Sequence, residues 1–207
     1  MGRLIKYNDN SISEITATGL ASGSMVLIKE QTASASASIS FVDGTDGVVL
    51  DNTYNTYLFK FINIHPATSN TIFQFNLSTD GGSSYNVTKT TTFFRARHRE
   101  DDSAAALAYS TAEDLAQSTG FQTILFDSGN DNDDSNSGEL FLFNPSSTTF
   151  VKHFIGRVSN TNITAQAGDN YFAGYANTTS ALDAIQFKFA SGNIDDGIIK
   201  LYGIRES

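Results

Sequence analysis

The sequence contains no cysteine and no tryptophan, and only two prolines and two methionines occur among its 207 residues. Without cysteine the chain has no disulfide, no thiolate nucleophile and no cysteine-based zinc site, so packing or assembly with other chains must supply its stability. Basic residues are also few, because 13 lysines and arginines stand against 22 aspartates and glutamates, for a formal charge of −9. The resulting field repels phosphate backbones and argues against a nucleic-acid partner.

Long hydrophobic runs are missing as well. No stretch approaches the ~20 apolar residues that a membrane helix needs, and the N-terminus lacks the apolar segment of a signal peptide. The sequence therefore predicts a protein that is made in a cytoplasm and has no membrane span. Glycine-rich phosphate loops, a Gly-x-Ser-x-Gly elbow and paired histidines at metal-ligand spacing are absent too. We therefore expect no cofactor, no metal ligands and no catalytic residues.

The 16 phenylalanines and eight tyrosines that are present fall mostly in alternating runs. From Tyr57 to Ile64 the alternation places Tyr57, Phe59 and Phe61 on one face of a strand. The same Phe-x-Phe spacing returns at Phe73/Phe75, Phe141/Phe143 and Phe187/Phe189. We expect these four dyads to stack their rings between two sheets.

Roughly a dozen short strands separated by turn signals predict an all-β fold, a two-sheet β-sandwich that is jelly-roll-like. The strand at 57–64 is expected to form a hairpin with 72–77, and 184–190 a hairpin with 198–204. At most one short helix is expected, in the alanine-rich stretch 103–117, where Thr111 and Asp114 have capping-box spacing.

Two segments are predicted: an extended N-terminal arm over residues 1–24 and a β-sandwich domain over residues 25–207. The arm is polar, with scattered apolar positions that match neither a strand nor a helix period for long. Either these apolar residues dock the arm on another subunit, or the arm folds onto its own domain. The candidate docking residues are Leu4, Ile5, Tyr7, Ile12 and Ile15.

Three arginines at every second position, Arg95, Arg97 and Arg99, would share one face of a strand, which we call the arginine face. Arginine binds carboxylates and other anions in a bidentate manner, so this face is a candidate for an anion site or a contact between subunits. The alternative is a solvated strand end that the acidic residues at 100–102 neutralise.

An acidic loop at 127–139 gathers many oxygen-bearing side chains. Its spacing fails the EF-hand rule, because counting from Asp131 places Asn136 where glycine is needed and Leu142 where glutamate is needed. A calcium loop of another type and a solvated acidic loop both stay open.

Several runs of the sequence, taken together, resemble a family of small virion structural proteins encoded by tailed bacteriophages of marine bacteria. The resemblance extends from about residue 24 to residue 205 and implies no catalytic or ligand residue. The runs that carry it are 57–66, 78–85, 89–94, 114–122, 137–149 and 191–204. What it implies is a particle component, made in the host cytoplasm and displayed on the virion as a homo-oligomer.

The leading hypothesis is therefore a non-enzymatic structural component of a tailed phage virion. It would be either a tail-fibre or adsorption-type module or a head-decorating protein, with other copies of itself and other virion proteins as partners. The alternative is a carbohydrate-binding module that recognises a host surface glycan through the arginine face and exposed tyrosines. A third hypothesis is a glycan-degrading enzyme with paired carboxylates. The candidate tyrosines are Tyr54, Tyr57, Tyr171 and Tyr175.

Overall fold

The computed structural model describes residues 24–205, and every helix or strand assigned in that range is a β-strand, which confirms the all-β fold class. The strands are β1 Met25–Ser36, β2 Ile39–Val42, β3 Thr56–Pro66, β4 Thr71–Ser78, β5 Lys89–Arg99, β6 Ala105–Tyr109, β7 Gln122–Ser128, β8 Asn136–Phe143, β9 Lys152–Thr161, β10 Gln166–Ala176, β11 Ala184–Phe189 and β12 Ile194–Ile204. The predicted arm, with Leu4, Ile5, Tyr7, Ile12 and Ile15, lies outside the described residues except for Ser24, so its docking stays a prediction.

The strands form two antiparallel sheets that pack face to face. The large sheet has eight strands in the order β1-β12-β3-β8-β9-β10-β5-β6, and the small sheet has four in the order β2-β11-β4-β7. The predicted two-sheet sandwich is therefore confirmed. Alternating side chains along each strand divide the large sheet into an inner face toward the small sheet and an outer face toward solvent.

The strand order is that of a jelly roll with two insertions. Strands β1 to β4, β7, β8, β11 and β12 alternate between the sheets along the chain, except that β4 and β7 both lie in the small sheet, giving two opposed four-stranded halves. The hairpins β5–β6 and β9–β10 are added to the large sheet only, beyond β8. We call these four added strands the wing. The small sheet has only four strands, and it packs against the wing as well as the jelly-roll half, because Phe75 on β4 contacts Phe154 on β9 and Phe172 on β10.

Aromatic rings fill the space between the sheets, mostly in edge-to-face and tilted contacts. Phe187 on β11 lies at the centre, with five phenylalanine rings around it at centroid distances of 5.2–6.3 Å. The surrounding rings are those of Phe41, Phe59, Phe61, Phe73 and Phe75. Burying a ring of this size removes about 150–250 Å² from water, so this cluster is the main source of the sandwich's stability.

One of the four predicted dyads does not belong to this core. Phe141 and Phe143 are only partly buried, and their rings stack at 6.3 Å. The alternate residues Leu140 and Leu142 are fully buried. Strand β8 thus has the opposite phase to the one expected, with Leu140 and Leu142 at the inner positions. The leucines and the phenylalanines are both apolar enough to occupy these positions. The prediction for this dyad was wrong.

Both predicted hairpins are wrong. Strand β4 pairs with β11 and β7 in the small sheet rather than with β3, and β12 pairs with β1 and β3 rather than with β11. The connections at 67–70 and 190–193 carry ordinary turn residues, but they cross from one sheet to the other. Turn chemistry specifies a reversal of the chain and does not specify which sheet receives the next strand.

The stretch 103–117, where at most one short helix was expected, forms no helix. Ala105–Tyr109 forms strand β6 at the edge of the wing, and the chain then turns so that Leu115 accepts a hydrogen bond from the backbone of Thr91 at 2.9 Å. Alanine favours helices, but the propensity is weak and tertiary pairing overrides it. Here the partner is the long strand β5, which offers an open edge.

Candidate functional site

The outer face of the large sheet carries a continuous row of polar and aromatic side chains that crosses all eight strands. We call it the transverse row. Its members, from β1 to β6, are Glu30, Lys200, Lys60, Glu139, Arg157, Tyr171, Phe94 and Tyr109. Directly opposed side chains on neighbouring strands contact each other, so the row is a ladder of interactions rather than a set of separate groups.

The first half of the transverse row is charged and paired. Lys200 binds Glu30 at 2.8 Å, and Lys60 binds Glu139 at 2.6 Å. In the middle, Arg157 forms a bidentate pair with Asp169, in which Nη2 lies 2.7 Å from Oδ2 and Nε lies 3.0 Å from Oδ1. Lys200 and Lys60 lie opposite each other, and each lysine is neutralised by the glutamate on its other side, which orders the side chains on a surface open to solvent.

The second half of the transverse row lies on the wing and is aromatic. The Arg157 guanidinium lies 5.0 Å from the centre of the Tyr171 ring, and that ring stacks on Phe94 at 4.7 Å with only 5° between the planes. Phe94 is 39 % exposed. A flat, partly exposed aromatic pair beside a fixed arginine suits the faces of sugars or the side chains of a partner protein.

A shallow groove of about 700 Å³ lies on the outer face beside the middle of the row, where Lys60, Glu139 and Arg157 form one side of it. Its floor is made of small residues on β5, β8, β9 and β10, and its charged lining is Arg97 together with the Lys60–Glu139 pair and the Arg157–Asp169 pair. Small floor residues allow a ligand or a partner to approach the backbone closely. The floor residues are Ala96, Ser137, Gly138, Ser159, Ala167 and Gly168.

The carboxylates of the groove are poorly suited to acid catalysis. The Arg157 guanidinium holds the pKa of Asp169 below its usual value, chiefly through their hydrogen bonds, and the Tyr171 hydroxyl donates a further hydrogen bond at 3.1 Å. A general acid that works near neutral pH needs a raised pKa, as burial in an apolar pocket produces. Glu139 is likewise paired, with Lys60. The groove is therefore arranged for binding by fixed charges.

The arginine face is divided by the fold. Arg95 is only 8 % exposed, binds Asp127 at 3.2 Å and lies over the Phe126 ring at 3.8 Å, so its guanidinium is occupied inside the protein. Arg97 is exposed, while Arg99 lies 3.6 Å from Asp101. The three do not form one open anion site. A role of Arg97 and Arg99 in binding an anion or a subunit stays a prediction.

The acidic loop at 127–139 uses its first carboxylate, Asp127, to hold Arg95. Farther along, the Asp134 carboxylate accepts a hydrogen bond from the backbone of Asp131 at 3.4 Å. Between residues 24 and 205, no three histidine, aspartate or glutamate side chains gather in a group that could hold a metal ion. Calcium binding by this loop stays a prediction.

Two buried lysines were missed by the sequence reasoning. The Lys89 amine on β5 donates to Asn76 Oδ1 on β4 and to the Val87 carbonyl at 2.7 Å, and burial lowers its pKa to about 7. Lys152 on β9 donates to the carbonyls of Thr178 and Ser180, and burial lowers its pKa as well. Lys89 ties the wing to the small sheet. Its alternation with the buried Phe93 was a signal that sequence reasoning could have used.

Buried amides accompany the buried phenylalanines on the inner face of the wing and of the neighbouring strand β8. Asn170 donates to Asn160 at 2.9 Å and to the Val158 carbonyl at 3.1 Å, and Asn136 donates to Ser128 at 2.8 Å. These hydrogen bonds connect β10 with β9 and β8 with β7 beneath the outer face.

Of the candidate tyrosines, Tyr57 is fully buried and donates to the Asp51 carbonyl at 2.9 Å, so it is not available to a ligand. Tyr54 packs against the Tyr57 ring at 5.7 Å, at the far end of the sheet from the groove. Tyr171 and Tyr175 both lie on the outer face, and Tyr171 belongs to the transverse row. The structure therefore keeps one of the four next to the groove.

The part of the chain that the structure describes contains no helix long and apolar enough to cross a membrane. Comparison of the sequence with family models, of the sequence with curated proteins and of the fold with solved structures gave no match. The site itself must therefore carry the functional argument.

Proposed function

We propose that this protein is a non-enzymatic structural component of a tailed phage virion, a tail-fibre or adsorption-type module or a head-decorating protein, and that the wing provides its contact surface. The observation that carries the proposal is the wing itself. Two hairpins enlarge one sheet of a complete jelly roll, and the outer face that they add is open to solvent. The wing supplies Phe93, Phe154 and Phe172 to the core, and its outer face, with the exposed Phe94 and Tyr109, adds surface available for contacts.

The chemistry of the outer face supports this role. Its carboxylates are neutralised by lysine or arginine partners, and its aromatic side chains are partly exposed. Protein interfaces are enriched in tyrosine, phenylalanine and arginine, and depleted of unpaired charge at their centre. The wing half of the transverse row, from Arg157 to Tyr109, has this composition.

The proposal is tested on purified particles of the phage that encodes the chain. Quantitative mass spectrometry of density-gradient virions should find the protein in a fixed ratio to the major capsid protein, and labelled antibodies should locate it on the head or on the tail. Protein that is abundant in infected-cell lysate but missing from washed virions would refute the proposal.

A second candidate function is recognition of a host surface glycan. The observation that favours it is the Arg157–Asp169 pair, whose hydrogen-bonding groups lie beside the stacked Tyr171–Phe94 rings at the groove. Sugars are commonly held by a planar aromatic face together with fixed polar groups.

A glycan array with purified protein tests the second candidate. Binding that Arg157→Ala or Tyr171→Ala abolishes would support it. Lys200→Ala is the matched control, because Lys200 forms a comparable exposed ion pair with Glu30 outside the groove. No bound glycan, or equal losses for the variants and the control, would exclude the groove as a sugar site.

A further inference from the structure

Strand β6 is the outermost strand of the wing, and no other strand in residues 24–205 pairs with its outer edge. Its five residues, Ala-Ala-Leu-Ala-Tyr, are all exposed, with Leu107 at 72 % and Tyr109 at 52 %, and none is charged or a proline. Natural proteins usually guard such edges, because the free N–H and C=O groups pair readily with another strand. A flat, uncharged edge is therefore a place where a second strand fits.

The other three sheet edges in residues 24–205 are guarded. Strand β1 has a register irregularity between Leu27 and Lys29 and carries Glu30 beside it. Strand β2 has only four residues, and the pairing of β7 is irregular along its length. Bulges, charge and short length are the usual means of keeping an edge from pairing. Strand β6 has none of them.

The hydrogen-bond phase of β6 follows from the bonds at its two ends. The Arg99 N–H donates to the Ala104 carbonyl at 2.9 Å, and the Ser110 N–H donates to the Phe93 carbonyl at 3.0 Å. Because bonded and non-bonded pairs alternate in an antiparallel ladder, Ala106 and Ala108 direct their backbone groups toward β5. The N–H and C=O groups of Ala105, Leu107 and Tyr109 therefore point away from the sheet.

We propose that β6 pairs antiparallel with β6 of a second copy, about a two-fold axis at Leu107, so that the two large sheets continue into one. In this register Leu107 faces the partner's Leu107, and Ala105 faces the partner's Tyr109. The outward groups of these three residues then form about six hydrogen bonds between the copies. The proposal deepens the proposed function, on which its biological meaning rests, by naming the self-contact of the displayed oligomer.

Side-chain size and charge are complementary in this register. On the outer face each Tyr109 lies next to the small side chain of the partner's Ala105, which leaves room for the ring. On the inner face Ala106 meets the partner's Ala108, so nothing keeps the two backbones apart. No two like charges face each other within the five paired residues. A two-fold contact of this type closes on itself, so the result is a dimer and not an open fibre.

Single cysteines test the contact, because the chain has no cysteine of its own. In the proposed dimer the Cα atoms of Leu107 and the partner's Leu107 are about 5.5 Å apart, a separation that a disulfide spans. We expect Leu107→Cys to give a covalent dimer on mild oxidation of purified protein, seen on a non-reducing gel. The matched control is Ala105→Cys, whose two copies would be about 13 Å apart along the strands and should stay monomeric.

A second variant measures the association itself. Leu107→Pro removes one outward N–H without removing a bond to β5, so the domain should fold while the dimer dissociation constant rises about tenfold or more. Analytical ultracentrifugation reads the association, and circular dichroism reads the fold. If Leu107→Pro does not fold, the comparison of Leu107→Cys with Ala105→Cys still tests the contact.

Monomeric Leu107→Cys under conditions that oxidise free thiols would overturn the proposal, and so would equal cross-linking of Leu107→Cys and Ala105→Cys. The failure of the proposed function is separate. A dimer from a protein that is missing from virions would leave the self-contact standing, and a virion protein whose Leu107→Cys stays monomeric would refute the self-contact alone.

Discussion

The buried amine of Lys89 predicts that the protein becomes more stable as the pH rises above neutrality. Burial lowers the pKa of this lysine from 10.5 to about 7 in the folded protein. Between these values the unfolded chain binds a proton that the folded protein has released, so the free energy of unfolding increases with pH in this window. Below about pH 7 both states are protonated, and the contribution is constant.

The expected gain in the free energy of unfolding follows from about 1.4 kcal/mol for each pH unit over which only the unfolded chain holds the proton. From pH 7 to about pH 9.5 the gain is about 3 kcal/mol at most. The hydrogen bonds from the amine to Asn76 and Val87 also stabilise the charged form, and this reduces the gain. The window stops short of pH 10 because burial raises the pKa of Tyr57, whose ionisation in the unfolded chain would lower the stability.

Urea unfolding at several pH values, followed by far-ultraviolet circular dichroism, measures this free energy. The control is Lys89→Met, which keeps the apolar stem and removes the titrating group. Lys152, whose pKa burial also lowers, is present in both proteins, so its contribution cancels in the difference. If the free energy of unfolding changes equally with pH in the wild type and in Lys89→Met between pH 7 and about pH 9.5, the Lys89 amine does not lose its proton in the folded protein in this window.

Three further predictions concern packing, the buried ion pair and the arm. Phe187→Ala should lower the free energy of unfolding by about 4 kcal/mol, because it leaves a cavity at the centre of the ring cluster. Phe150→Ala, at an exposed position, should change this free energy by less than about 0.5 kcal/mol. Urea unfolding of both variants measures the difference. Arg95→Ala should lower the free energy of unfolding by about 2 kcal/mol, because Asp127 loses its counter-ion, whereas Arg97→Ala should hardly change it. Equal losses of stability in thermal melts of the two variants would contradict the division of the arginine face. Deletion of the first 22 residues should leave a folded domain with weaker attachment to particles, and an insoluble product would mean that the segment belongs to the core.

The strands and the main core were predictable because alternation is a local property. Phe59, Phe61, Phe73, Phe75 and Phe187 share a period of two with their neighbours, and each lies between the sheets. Local pattern cannot choose between two equally apolar phases, which is why the phase of β8 was wrong. It also cannot say where a strand goes after a turn, which is why both hairpins were wrong.

The candidate site was much less predictable than the fold. Its groove is assembled from β3, β8, β9, β10 and β5, which are far apart in sequence, so no short motif marks it. The pairing of Arg157 with Asp169 follows from the turn between β9 and β10 and from the register, and neither residue stands out in a list of charges. Arg95 did stand out, but its phase with the buried Phe93 sends it inward.

The position of the last two strands has a consequence for biosynthesis. Strand β11 lies between β2 and β4, and β12 lies between β1 and β3, so each sheet lacks an interior member until residues 184–204 have emerged from the ribosome. A nascent chain that stops early leaves β1 and β2 with no neighbour in their sheets. Such long-range pairing is slow and exposes apolar surface while it waits. Both sheets can therefore close only after β12 has been synthesised.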